Sequence, residues 1–99
     1  MTSKKEKIFD SNSLEQLLIK DWTYYLDIRK TIQFLKEIVE KNLNLQSFNI
    51  QTIKVSNAVF SNDGIIIWID FIVINSNNEV NLSAEVKLEK EELKFLRII

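Results

Sequence analysis

Apolar residues recur along the first half of the chain in steps of three and four: Leu14, Leu18, Trp22, Tyr25, Ile28, Ile32, Leu35, Val39 and Leu43. Such steps gather side chains on one stripe of a helix, because 3.6 residues complete a turn. The pattern predicts one long amphipathic helix from about Leu14 to Leu43, about 45 Å at 1.5 Å per residue. Ser13-Leu14-Glu15-Gln16 supplies a capping box at its start. Glu37 and Lys41 are spaced to pair on its polar side. Asn42 and Asn44 are candidate left-handed caps, and Asp21 and Asp27 are places where the helix could break.

After Asn44 the period changes to two. Phe48, Ile50 and Thr52 alternate in one phase, and Ile53, Val55 and Val59 in the other. That slip predicts a long strand bulged near residues 51–53, or two short strands. Asp63-Gly64 then separates two β-branched runs, a strong hairpin signal, with glycine expected to supply a positive φ. The run Ile65 to Ile74 is apolar in both phases except at Asp70, which predicts a central strand covered on both faces. Asn75-Ser76-Asn77-Asn78 forms the next turn. Val80, Leu82, Ala84, Val86 and Leu88 alternate with polar residues, giving a strand with one buried and one wet face. Residues 93–99 fit a fourth strand or a short helix, and the common phase of Leu93, Phe95 and Ile99 favours the strand.

The expected fold is α+β: one long N-terminal helix packed on an antiparallel three- to four-stranded β-meander. Residues 1–12 read as a flexible N-terminal arm and 13–99 as a single domain. One helix covers one face of such a sheet, yet the central strand is apolar on two. The second cover must come from the arm with Ile8 and Phe9, from the C-terminal segment, or from another subunit. A helix of about 45 Å would also overhang the strands, so self-association as a homodimer is the expectation.

Composition narrows the chemistry. The 99 residues include no histidine, no cysteine, no proline and one glycine. Imidazole bases, thiolate nucleophiles, disulfides and Cys/His metal sites are therefore excluded. Thirteen basic against fourteen acidic side chains give a net charge of −1, with arginine only at Arg29 and Arg97. That balance argues against a nucleic-acid partner. Lys4, Lys5 and Lys7 read as a solvated terminus. No apolar stretch follows them, and the longest apolar run is about half a membrane span, so a cytoplasmic protein is expected, of a cell or of a host if the source is viral.

One constellation could carry catalysis. Asp70 lies on the second predicted strand and Glu85-Val86-Lys87 on the third, where Glu85 and Lys87 share a face. Two carboxylates brought together can hold Mg²⁺, and a lysine beside them can position an attacking water. The pattern Ile69-Asp70-Phe71-Ile72-Val73 followed by Ala84-Glu85-Val86-Lys87 resembles the core of the PD-(D/E)xK nucleases without its C-terminal half. That resemblance implies a reduced metal-dependent nuclease, with Asp70 and Glu85 as metal ligands and Lys87 as the catalytic, water-positioning group. It also implies a helix carboxylate, for which Glu37 or Glu40 could serve. The plainer reading places Glu85 and Lys87 in solvated cross-strand pairs, with Asp70 hydrogen-bonded or turned to water.

The aromatic residues suggest a different role. Trp22, Tyr24 and Tyr25 lie along the helix, Trp22 and Tyr25 sharing one side while Tyr24 points elsewhere, and Trp68 is in phase with Asp70 on the face expected to point away from the helix. Core packing accounts for most aromatics in a small domain, but an exposed Trp or Tyr on a polar face is the usual form of a contact hot spot. The leading expectation is a small non-enzymatic protein-interaction module of accessory or inhibitor type. It would act through helix and sheet surfaces, without a cofactor, and contact its partners through Trp22, Tyr24, Tyr25 and Trp68. The nuclease, with Mg²⁺, is the alternative. The outline of a helix against a curved meander is also similar to cystatin-like and NTF2-like folds, which would imply a small-ligand binder.

Overall fold

The computed structural model describes residues 22–89 and 92–99. A short 3-10 helix, Trp22–Tyr25, precedes helix α1 (Ile28–Leu43). Four strands follow: β1 (Asn49–Ser61), β2 (Gly64–Asn75), β3 (Asn78–Glu89) and β4 (Glu92–Ile98). They form one antiparallel sheet in the order β1-β2-β3-β4. The α+β class and the four-stranded meander therefore stand, and the C-terminal segment is a strand. No described helix is long and apolar enough to cross a membrane.

The helix differs from the expectation in length. It starts at Asp27, one of the two foreseen break points, whose extended backbone (φ −82°, ψ 106°) ends any helical path from the N-terminal side. The Asp27 carboxylate accepts from Lys30 N–H at 3.2 Å, the bond expected of an N-cap. Its carbonyl accepts from the Thr31 hydroxyl at 2.8 Å, which satisfies the one buried polar side chain among the described residues. Trp22 and Tyr25 thus belong to a separate turn rather than to the helical stripe. The capping box at Ser13 and the positions Leu14 and Leu18 lie outside the described residues, as does the 1–12 arm with Ile8 and Phe9.

At the other end Asn44 takes the left-handed cap (φ 57°, ψ 39°), and the Asn42 amide donates to the Ile38 carbonyl at 2.8 Å. Glu37 accepts from Gln33 at 3.1 Å, and no ion pair joins it to Lys41. Sixteen residues make a helix of about 24 Å. Strands of 12 and 13 residues reach about 40 Å. The sheet outreaches the helix, so the expected helical overhang is absent.

Strand β1 carries two irregularities. Thr52 and Ile53 together oppose Phe71, with Thr52 at φ 56°, and Ser56 is an extra residue between the pairs Val55↔Ile69 and Asn57↔Trp68. The first bulge is the source of the phase slip in the sequence. Strand β4 bulges at Leu96, because Glu85 pairs with Arg97 while Val86 pairs with Phe95. That bulge sets Ile98, rather than Ile99, in phase with Leu93 and Phe95 against the core.

The core sits between α1 and one sheet face. Leu35, Ile38 and Val39 of the helix pack with Ile50 and Val55 of β1, Ile67, Ile69, Phe71 and Val73 of β2, and Ala84, Val86 and Leu88 of β3.

Gly64 corrects a second expectation. Gly64 does not have a positive φ; among the described residues the left-handed ones are Asn44, Thr52 and Ser76. Gly64 is the first residue of β2, paired with Ser61 across the Asn62-Asp63 turn. Its missing side chain answers a close approach instead. A Cβ there would collide with the Leu88 carbonyl oxygen and lie 3.2 Å from Glu89 Cγ. Gly64→Ala is therefore expected to lower stability by about 1–3 kcal/mol. Urea unfolding measures this, and a midpoint equal to that of the wild type would contradict it.

Candidate interaction face of the sheet

Side chains on β2 point alternately to the two faces. Ile67, Ile69, Phe71 and Val73 are buried under α1, while Ile66, Trp68, Asp70, Ile72 and Ile74 point the other way and are half-buried. No described helix lies on that second face. Register partners share a face, so β1 flanks the stripe with Val59, Asn57, Lys54 and Gln51. β3 flanks it with Lys87, Glu85, Ser83 and Asn81. The result is an apolar stripe with a carboxylate at its centre and margins that are polar apart from Val59.

Asp70 is held by hydroxyl groups. Its Oδ1 accepts from the Ser83 hydroxyl directly opposite on β3, and from the Ser56 hydroxyl at 3.2 Å. Ser56 Oγ also lies 3.3 Å from the Trp68 carbonyl, so its single proton is shared. Hydroxyl donors on one oxygen thus go part of the way to meeting the need of a carboxylate in an apolar strand. Lys54 is its register partner on β1, yet no ion pair forms between them. Around these residues lies a shallow open hollow of about 360 Å³, walled by Thr52, Lys54, Asp70, Ile72, Asn81 and Ile99.

The residues of the nuclease resemblance share this face but have different partners. Glu85 is opposite Trp68 and accepts from Arg97 Nε at 2.9 Å. Lys87 turns toward the first hairpin, 2.7 Å from Asp63 and 3.2 Å from Glu89. Glu89 in turn binds Lys94 at 2.8 Å. Glu37 and Glu40 are exposed on α1, on the other side of the sheet from Asp70. Among the described residues, no group of three or more acidic, histidine or cysteine side chains is placed to hold a metal ion.

Of the aromatic candidates, Trp68 stands on the open face. Trp22 is half-buried against the core and packs edge-on to Phe60, with ring centres 6.5 Å apart. The side chains of Tyr24 and Tyr25 lie outside the described part. Ser56, Ser83 and Lys54 are part of this face without being among the residues expected from the sequence. Ser83 was legible in principle, because a two-residue turn at Ser76-Asn77 fixes it opposite Asp70. Ser56 and Lys54 were not, because their places depend on the bulge at Ser56 in β1.

Compared with family models, with curated proteins and with solved structures, the chain matches none of them.

The hairpin network is sensitive to pH. The hydrogen bond from Lys87 holds the Asp63 carboxyl below its ordinary range. Lys94, then Lys87, does the same for Glu89. Both ammonium groups are raised in return, Lys87 by Asp63 and then Glu89, Lys94 by Glu89. Depressed carboxyls add stability that is full above their unfolded values and is lost as pH falls through the folded ones. Raised ammonium groups add stability that is lost as pH rises through their folded values. Stability should therefore decline below about pH 4 and above about pH 10.5. Lys87→Met should flatten both limbs of urea midpoints plotted against pH. Limbs parallel to those of the wild type would show that the network is without effect.

Proposed function

We propose that the chain is a small non-enzymatic protein-interaction module that acts through the open face of its sheet and self-associates there as a homodimer. The observation that supports this reading is the half-buried stripe Ile66, Trp68, Ile72 and Ile74 on the face of β2 that no described helix covers. Apolar side chains left partly open on a sheet face and bordered mostly by polar residues are characteristic of contact sites. Trp68 is the natural anchor, since a large aromatic ring at the centre of a patch contributes most of its contact energy. The module needs no cofactor, and its setting is cytoplasmic.

Trp68→Thr keeps a β-favouring residue on the strand while removing the anchor. Light scattering at about 100 µM is expected to give a dimer mass for the wild type and a monomer mass for the variant. A wild-type monomer at that concentration would end the self-association reading.

The alternative, a reduced PD-(D/E)xK-like nuclease, is favoured by one observation: Asp70, Glu85 and Lys87 are on the same face. In that reading Asp70 and Glu85 would take Mg²⁺, and Lys87 would leave Asp63 to position a water. It predicts cleavage of plasmid or single-stranded substrate with Mg²⁺ or Mn²⁺, abolished in Asp70→Ala. Equal traces of cleavage in both proteins would remove it. The small-ligand reading, similar to cystatin-like and NTF2-like proteins, has no such specific support.

A further inference from the structure

The open face carries one anion and one cation that stand side by side without pairing, and this arrangement is complementary to itself. Lys54 is the register partner of Asp70 and points to the same face. Among the described residues Lys54 makes no ion pair or hydrogen bond. Asp70 receives both of its serine bonds on Oδ1, so Oδ2 is left without a partner. Both residues border the same open hollow.

A homodimer usually has two-fold symmetry, in which residue i of one copy meets residue j of the other and j meets i. Consider an axis parallel to the strands, midway between β1 and β2 and just above the open face. Rotation about it lays β1 of each copy over β2 of the other without shifting either along its length. Because Lys54 and Asp70 are at the same level, each Lys54 then stands over Asp70 of the second copy. Packed sheets lie about 10 Å apart, a gap that a lysine and an aspartate side chain together span. The same rotation sets Ile66 over Val59, and Trp68 over Asn57, of the second copy. An axis across the strands at this level would instead set Lys54 on Lys54, and like charges disfavour it.

Resting on the self-association proposed above, we infer that two copies pack open face to open face about this axis, joined by two reciprocal Lys54–Asp70 ion pairs. The serine bonds matter to the desolvation cost. A buried ion pair breaks even only when its remaining lone pairs are satisfied, and Ser56 and Ser83 satisfy those of Oδ1.

A charge exchange tests the axis. Lys54 is exposed, so Lys54→Glu should leave the fold intact, as checked by circular dichroism. The substitution would set a second carboxylate against Asp70 of the second copy. Analytical ultracentrifugation in 50 mM NaCl should then show the dimer dissociation constant rising about tenfold or more. Adding Asp70→Lys in the same chain restores opposite charges and should return the constant to within about threefold of the wild type. Raising NaCl to 500 mM should weaken the wild type more than Lys54→Gln. A dimer that Trp68→Thr dissociates but Lys54→Glu leaves unchanged would overturn this axis and leave the proposed function standing. A folded double variant that stays dissociated would also overturn it. A wild-type monomer would overturn both.

Discussion

Strand β2 has apolar side chains on both faces, and a helix of 16 residues covers only one of them. The rest of the molecule follows from this imbalance. On the covered face Ile67, Ile69, Phe71 and Val73 are removed from water and form the centre of the core. Each fully buried side chain of that size contributes about 1.5–3 kcal/mol relative to exposure, and the four together anchor the fold. On the open face Ile66, Trp68, Ile72 and Ile74 realise only part of that stabilisation. They still help to hold the strand in place, and the surface they keep open is one whose burial would be favourable.

Asp70 interrupts this stripe and fixes its character. A carboxylate at the centre of an apolar face would be costly if its oxygens lacked donors. Ser83 and Ser56 supply them to one oxygen only. The group is oriented and partly satisfied within one chain, and it keeps acceptor capacity toward whatever approaches the sheet. The charged residues nearer the first hairpin behave differently. Asp63, Lys87, Glu89 and Lys94 satisfy one another and close the ends of β2 and β3.

Much of the architecture was legible in the sequence. The change of period at Asn44, the two turns and the clean alternation of β3 gave the four-stranded meander, and the slip at residues 51–53 located the first bulge of β1. The helix was overextended because a stripe of apolar residues continues through Trp22 and Tyr25 at helical spacing. Periodicity registers that spacing but does not register that Asp27, two residues further on, caps a new start. Gly64 was assigned to backbone conformation when its reason is a contact with Leu88, a residue 24 positions away that no local pattern reveals. The same limit applies to the face around Asp70. Ser83 follows from the turn, but without bulges in β1 the residue opposite Asp70 would have been Val55 rather than Lys54.

The bulge at Leu96 has a consequence for solubility. A sheet rich in isoleucine is at risk of growing sideways, strand upon strand, into fibrils through its unpaired edges. Here both edges are obstructed. On β1 the Val55 N–H already donates to the Thr23 hydroxyl at 2.6 Å, and two bulges distort the ladder. On β4 the break at Leu96 interrupts the regular spacing of free amides, with Lys94 and Arg97 on either side. Lateral addition of another strand is therefore disfavoured along both described edges.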